Sequence, residues 1–277
     1  MKLKTKINTY DLSERTHIMG ILNVTPDSFS DGGNYTSADE VIEQAVQMEK
    51  QGADIIDIGG ESTRPDHESV SLEEELQRVI PMIRAVKDYV TIPISIDTYK
   101  AETARQALEA GADIINDVWG AKKEPAIAQV AAAHNAPIIL MHNRTNKNYT
   151  SIIDDMKHDL QESIDIALDA GVVPENIILD PGVGFAKTPQ DNLMVMNQLE
   201  AFTDLGYPLL LGTSRKSFIG RILDLPAPER DNGTGATTCL GIEKGAQIVR
   251  VHNVPLHVEL AKMMDAMLFK QGVGSNG

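Results

Sequence analysis

Residues 100–120 read KAETARQALEAGADIINDVWG. The first twelve are Ala-rich, with apolar residues at helical spacing, and Gly111 stands where a helix C-cap belongs. Asp113 to Trp119, DIINDVW, is a short apolar run with β-branched residues, the pattern of a buried strand. The stretch is therefore a helix, a tight Gly-Ala-Asp turn and a strand. Gly52-Ala53-Asp54 repeats the same join ahead of another apolar run, DIIDIGG.

Working outward, strand-length apolar runs recur along the whole chain. They are HIMGILNV from His17, DIIDIGG from Asp54, PISIDT from Pro93, DIINDVW from Asp113, PIILMHN from Pro137, NIILDPG from Asn176, PLLLGTS from Pro208 and IVRVHN from Ile248. Helical segments lie between them. One of these, from Ser151, ends on Gly171 as the first ends on Gly111. Strands separated by single helices imply right-handed crossovers and a parallel sheet. About eight such units in roughly 250 residues predict a (β/α)₈ barrel, with a doubly wound sheet as the alternative. No linker or low-complexity stretch divides the chain, so residues 1–277 are expected to form a single domain. The tail KQGVGSNG, from about residue 270, is expected to be disordered. The last helix, with Met263, Met264 and Met267, is expected to pack on the barrel.

A net charge of −15 argues against a nucleic-acid partner, because phosphates need a basic surface. It leaves room for a small anionic substrate held by a local cluster of cations. No apolar run is long enough to span a membrane. The basic start MKLKTKINTY has no apolar segment behind it and does not read as a signal peptide. One cysteine, Cys239, excludes an internal disulfide, suits a reducing cytoplasm, and is expected to be a small buried hydrophobe. The acidic run at Glu73–Glu75 reads as a solvated helix face.

The chemistry sits where the strands end. Asn23, Asp57, Asp97, Asn116, His142, Asp180, Ser214 and Arg250 with His252 fall at or just beyond the C-terminal ends of the runs. Any one of them could be a turn residue, but at nearly every strand at once that reading is poor. Barrel active sites occupy this face. In IVRVHN, Arg250 and His252 lie two apart and share a face, and an unpaired buried Arg is costly. The loop GGESTRP, from Gly59, offers amides, hydroxyls and Arg64, which suits an anion. SRKS, Ser214 to Ser217, places cations where a helix begins. Neither loop is a Walker A motif, and no dinucleotide fingerprint follows a strand. Together they imply a ligand with an anionic end and a hydrogen-bonding body.

In order along the chain, MGILNVTPDSFSDGG, DIGGESTRP, PISIDT, INDVWG, LMHN, ILDPGVGFAKT, LLLGTSRKSFIG and VRVH resemble the bacterial dihydropteroate synthase family, of the Bacillus-like kind. The resemblance runs from about Met19 to Met264. It implies a single (β/α)₈ barrel of folate synthesis. The reaction implied joins 6-hydroxymethyl-7,8-dihydropterin diphosphate to 4-aminobenzoate, giving 7,8-dihydropteroate and diphosphate with Mg²⁺. It also implies sulfonamide competition at the aminobenzoate site and a homodimer formed through the last helices.

Residue by residue, the resemblance implies that Asp97, Asn116, Asp180 and Lys216 hold the pterin, with Arg250 laid over its ring. Asn23, Thr63, Arg250 and His252 would take the diphosphate, and Asn23 would also ligate Mg²⁺, a hard cation that accepts an amide oxygen. Thr63, Arg64, Pro65, Phe185, Lys216 and Ser217 would receive the aminobenzoate. Arg250, His252, Lys216 and Asp31 are the catalytic candidates, Asp31 by steadying the cation or Mg²⁺. The two long polar loops after Val24 and Gly60 read as lids. Two departures from the family stand out. Asp66 and His67 follow STRP where Gly is usual, and Asn253 replaces the Asp of RVHD. Three other readings remain: a cobalamin-dependent pterin methyltransferase, a Schiff-base aldolase using Lys187 or Lys216, and a non-catalytic binding barrel.

Overall fold

The Gly-Ala-Asp join does the same job at both of its occurrences in the computed structural model, which describes residues 1–24, 38–61 and 70–268. Asp54 accepts a hydrogen bond from Ile18 N at 2.9 Å. Asp113 accepts one from Ile94 N at 3.2 Å. In each case the carboxylate just ahead of one strand satisfies an amide at the start of the strand beside it, the second of His17–Asn23 and the first of Ile94–Asp97. Between join and join, helix packs on sheet. Gly111, at φ +120°, ends its helix by donating to Ala107 O at 3.0 Å. A Cβ there would lie 2.1 Å from Lys87 Cδ, which a flexible lysine could vacate, so it is the backbone conformation that requires glycine.

A hairpin of β1 (Lys2–Lys4) and β2 (Thr9–Asp11) precedes the alternating part. There follow β3 (His17–Asn23), α1 (Ala38–Lys50), β4 (Ile55–Gly59), α2 (Leu72–Lys87), β5 (Ile94–Asp97), α3 (Ala101–Ala110), β6 (Ile114–Asp117), α4 (Ala126–His134) and β7 (Ile138–Met141). The chain continues through α5 (Ile152–Asp169), β8 (Ile177–Asp180), α6 (Pro189–Asn197), β9 (Leu210–Leu211), α7 (Ser217–Leu223), α8 (Asp231–Glu243), β10 (Ile248–Val251) and α9 (Val254–Met267). Among the described residues, eight strands form one parallel sheet in the order β8-β7-β6-β5-β4-β3-β10-β9. A parallel bridge between Leu179 and Leu209 joins its two ends, so the sheet closes into a (β/α)₈ barrel.

The outer face of the sheet buries its apolar side chains against the helices, with Ile56, Ile58, Ile96, Ile115, Leu140 and Val249 in that layer. The inner face divides in two. Its lower half is apolar: Met19, Ile55, Ile114, Ile139, Ile178, Leu210 and Ile248 pack together with Leu3 and Leu12 from the amino-terminal segment. That segment, which the sequence reading passed over, plugs the floor. Lys6 Nζ anchors it by donating to Leu108 O at 3.0 Å and Ala112 O at 3.2 Å.

Several expectations change. Met263 and Met267 are exposed, and only Met264 of that trio packs on the core. Glu75 is buried, where its carboxylate accepts from Lys100 Nζ at 2.8 Å, while Glu73 and Glu74 face solvent as expected. Cys239 is half-buried on α8 rather than fully enclosed.

Candidate active site

The inner face changes character within two residues. Ile55 leads to Asp57, Ile114 to Asn116, Ile178 to Asp180 and Ile248 to Arg250. Each pair lies on one face of its strand, so a polar layer sits directly above the apolar floor. Register confirms the alignment: Asp97 pairs with Asn116, and Met141 with Asp180.

Arg250 organises the layer. Its Nε donates to Asp57 Oδ2 at 2.6 Å, and its Nη2 donates to Asp97 Oδ2 at 2.8 Å. Asn116 Nδ2 donates to the same Asp57 oxygen at 3.1 Å. A guanidinium fork spanning two carboxylates fixes both its position and its plane. The cation that looked costly in the sequence is thus paired, with 17% of its side chain still exposed toward the mouth. Asp57 Oδ1 and Ser95 Oγ are buried and make no hydrogen bond within the protein.

Burial pushes Asp97 up to about 7, with Arg250 pulling the other way. Burial also raises Asp180, against the pull of Lys216. Desolvation outweighing the nearby cation is the physical cause in both. Burial brings Lys216 down to about 8, with Asp180 opposing. Asp97 and Lys216, both shifted toward neutrality, with a raised Asp180 beside them, are the kind of perturbed cluster that marks a functional site.

Around this layer the remaining predicted residues fall at the mouth. Asn23 ends β3 and is half-buried. Ser214 Oγ meets His252 Nδ1 at 2.8 Å and accepts from His252 N at 3.1 Å, which fixes the imidazole at the rim. Lys216 Nζ donates to Val183 O and stands 4.5 Å from the Phe185 ring centroid. Ser217 is exposed and opens α7. The structure therefore brings Asn23, Asp97, Asn116, Asp180, Phe185, Lys216, Ser217, Arg250 and His252 to one end of the barrel. Asp31, Thr63, Arg64 and Pro65, with the departures Asp66 and His67 and the two lid loops, lie outside the described residues.

Three residues behave differently from their sequence reading. Arg215 turns out of the mouth and donates to both oxygens of Asp231, at 2.7 and 2.9 Å. Asn253 donates to that same carboxylate at 2.9 Å and caps α9 by accepting from Leu256 N at 3.3 Å. An aspartate could cap but not donate, so the amide suits this chain's Asp231. His142, one residue past β7, points away from the lumen and lies fully buried against α5. Asp57 is the site residue to which the sequence gave no role. Its signal was its place two residues beyond Ile55.

For Mg²⁺, the described residues hold no group of three His, Cys, Asp or Glu side chains able to cage a metal. Asn23, half-buried at the end of β3, carries an amide oxygen of the kind Mg²⁺ accepts beside phosphate oxygens and water.

A closed barrel with a buried layer of carboxylates, an amide and a guanidinium at the carboxyl ends of its strands defines the class as a (β/α)₈ enzyme whose ligand offers several hydrogen-bond donors. The pterin binding enzyme family matches residues 19–252. The dihydropteroate synthase of Bacillus subtilis (strain 168) is 60% identical over 271 residues, 98% of this chain and 95% of the relative. The crystal structure of dihydropteroate synthase from Clostridium difficile in the presence of pteroic acid superposes with a TM-score of 0.92 at 50% identity, over 95% of this chain and all (100%) of that one. The Yersinia pestis enzyme in its sulfonamide drug complex gives 0.91 at 38% identity, over 97% and 100% of the two chains. The chain belongs to the dihydropteroate synthases, pterin-binding transferases of folate biosynthesis and targets of sulfonamides.

Proposed function

We propose that this barrel joins 6-hydroxymethyl-7,8-dihydropterin diphosphate to 4-aminobenzoate with the help of Mg²⁺, through the residue roles that follow. The observation that carries the reading is the layer of Asp97, Asn116 and Asp180 around Arg250 in a lumen closed from below. A pterin edge presents a row of N–H donors, and buried carboxylates accept them. Asp180 takes the 2-amino group and N3–H together, while Asp97 and Asn116 hold the far side. Lys216 donates to the pterin, and Arg250 lays its plane over the ring.

Departure of the diphosphate breaks the bond from the pterin methylene to oxygen, and the electron pair leaves with the oxygen. Arg250 and His252 stand where that negative charge grows and stabilise it. Thr63 adds a hydroxyl. Asn23 would hold Mg²⁺, which when bound neutralises charge on the leaving group. The electron-rich pterin shares the positive charge left on the methylene, steadied by Asp31. The aniline nitrogen then attacks, with its ring between Phe185 and Pro65, and its carboxylate on Ser217 and Arg64. The arylammonium formed is acidic and loses its proton without a strong base.

The rest of the reading is a single domain working as a cytoplasmic homodimer. Exposed Met263, Met267 and Leu268 on and just past α9 support a second copy packing there. No helix among the described residues is long and apolar enough to cross a membrane, and the acidic surface suits small-molecule partners rather than nucleic acid. Light scattering of the purified chain tests the dimer, and a monomeric mass would refute it. Formation of dihydropteroate from pterin diphosphate, 4-aminobenzoate and Mg²⁺ tests the reaction. Lack of product under those conditions would overturn the assignment.

A further inference from the structure

The segment between β8 and α6 is held in a conformation it could not keep alone. Gly182, Gly184 and Ala186 all have positive φ, at 63°, 93° and 47°. Alternate left-handed residues are costly, above all for Ala186, which has a Cβ. A Cβ on Gly182 would lie 2.0 Å from His142 O, so the turn is pressed against the end of β7. The conformation is held from several sides. Asp180 Oδ1 accepts from Gly182 N at 2.7 Å, Asn192 Oδ1 accepts from Gly184 N at 2.6 Å, and Tyr149 Oη donates to Ala186 O at 2.9 Å.

At the centre of this segment is Lys187. It is 5% exposed, and its Nζ donates to Gly182 O at 2.9 Å, Phe185 O at 3.0 Å and His142 Nδ1 at 3.0 Å. An ammonium has three protons, and all three are used. Because Nδ1 of His142 receives, the ring proton resides on Nε2, which donates to Asp159 Oδ2 at 2.9 Å. Burial holds His142 down to about 4, so the neutral ring persists at ordinary pH. Arg144 Nε also donates to Asp159, and its guanidinium lies 4.6 Å from the Tyr149 ring centroid. Tyr149 in turn holds Ala186, so the network leaves the segment through Lys187 and returns through Tyr149.

We infer that Lys187 is a positioning residue for the aryl-amine half of the reaction: seated against neutral His142, its ammonium fixes residues 182–187 so that the Val183 carbonyl and the Phe185 ring hold Lys216 beside Asp180. The inference rests on the reading above for what Phe185 and Lys216 do. Burial, with Lys216 nearby, lowers Lys187 to about 7, but with only 5% of the residue exposed it has no access to a carbonyl substrate, which speaks against it as a Schiff-base nucleophile. Lys187 touches neither the lumen layer nor any residue assigned to the diphosphate.

The test is Lys187→Met, which keeps length and apolar bulk but loses all three donors. The KM for 4-aminobenzoate should rise about tenfold or more with a fall in kcat, within the ~10²-fold that a small misplacement can cost. Pterin affinity, read by calorimetry, should fall by clearly less than the rise in that KM, since of the pterin residues only Lys216 depends on this segment for its place while Asp97, Asn116 and Asp180 stand on the sheet. Equal losses for both substrates, or no loss for either, would overturn the inference. Should the variant not fold, ¹⁵N spectra of the unaltered enzyme decide it. His142 should be neutral and protonated on Nε2 across about pH 6–8. A ring protonated on Nδ1, or one titrating in that range, would refute the network. If the unaltered chain makes no dihydropteroate, the reading of the site fails, and the imidazole spectrum judges the network by the same criterion.

Discussion

The two ends of the barrel are built from the same strands, two residues apart, and they do opposite work. At the floor, Ile55, Ile114, Ile178 and Ile248 close on Leu3 and Leu12 in a dry cluster. One step up, Asp57, Asn116, Asp180 and Arg250 make a layer of buried charge and amide. Two residues of strand span only about 7 Å. The difference teaches how a polar layer is supported: the floor supplies burial energy, at roughly 25 cal/mol per Å² of apolar surface, and the layer above carries groups that cost stability and hold ligands.

The largest effect should come from removing a carboxylate in the upper layer. Asp180→Ala should leave the fold intact and abolish tight pterin binding. Two charge-assisted hydrogen bonds at roughly 1.5–3 kcal/mol each amount to at least about a hundredfold in affinity. Calorimetry with the pterin substrate checks it, and an unchanged Kd would end the assignment of this layer to the pterin.

Arg250→Lys should follow, with turnover down about a hundredfold, the scale of one preorganised donor lost at developing charge. A lysine cannot reach Asp57 and Asp97 at once with a planar fork. Steady-state rates decide the point, and activity within a few-fold of the parent would take Arg250 out of the chemistry.

The ends should also part company in their response to pH. Burial alone would raise Asp54 at the floor, but its neighbours His17 and Arg15 outweigh it and hold it at about 2. Its stabilisation is complete above the unfolded-state value of roughly 4 and is lost as pH falls through about 2. Asp97 is the reverse. Its folded pKa of about 7 lies above the unfolded value, so the native state binds the extra proton and stability falls as pH rises from roughly 4 to 7. Denaturant unfolding across this range should show Asp97→Asn flattening the upper slope and Asp54→Asn the acid limb. If the two substitutions change the same part of the curve, the separation of the ends is wrong.

The smallest effect on activity should come from the floor. Leu12→Ala should cost about 2–5 kcal/mol of stability, as large-to-small changes in cores do, and leave kcat unchanged. A fall in kcat with no fall in stability would mean the floor communicates with the site.

All eight barrel strands were legible because each is an apolar run bounded by turn residues, and most of the upper layer because it breaks those runs at their ends. What escaped did so for definite reasons. The hairpin at Lys2–Asp11 has three-residue strands and few apolar positions, too little for a period to register. His142 looked like a mouth residue, yet Ile139 faces inward, so parity sends position 142 outward. Lys187 was read only as a Schiff-base candidate, because two of its three partners are backbone carbonyls, which no side-chain pattern announces. Asn253 looked like a charge lost. It is an amide whose donor meets Asp231.

The plug of Leu3 and Leu12 makes the lumen a blind alley. Asp180 and Asn116, 5% and 3% exposed, lie at its inner end, while Ser217 stands in the open at its entrance. Traffic through such a passage is a stack: last in, first out. The heterocycle must enter ahead of the aryl amine, and an aryl amine that arrives first blocks the way in. Initial-rate inhibition patterns should therefore show substrate inhibition by excess 4-aminobenzoate at low pterin diphosphate, and a strictly random pattern would mean that the alley has a second door.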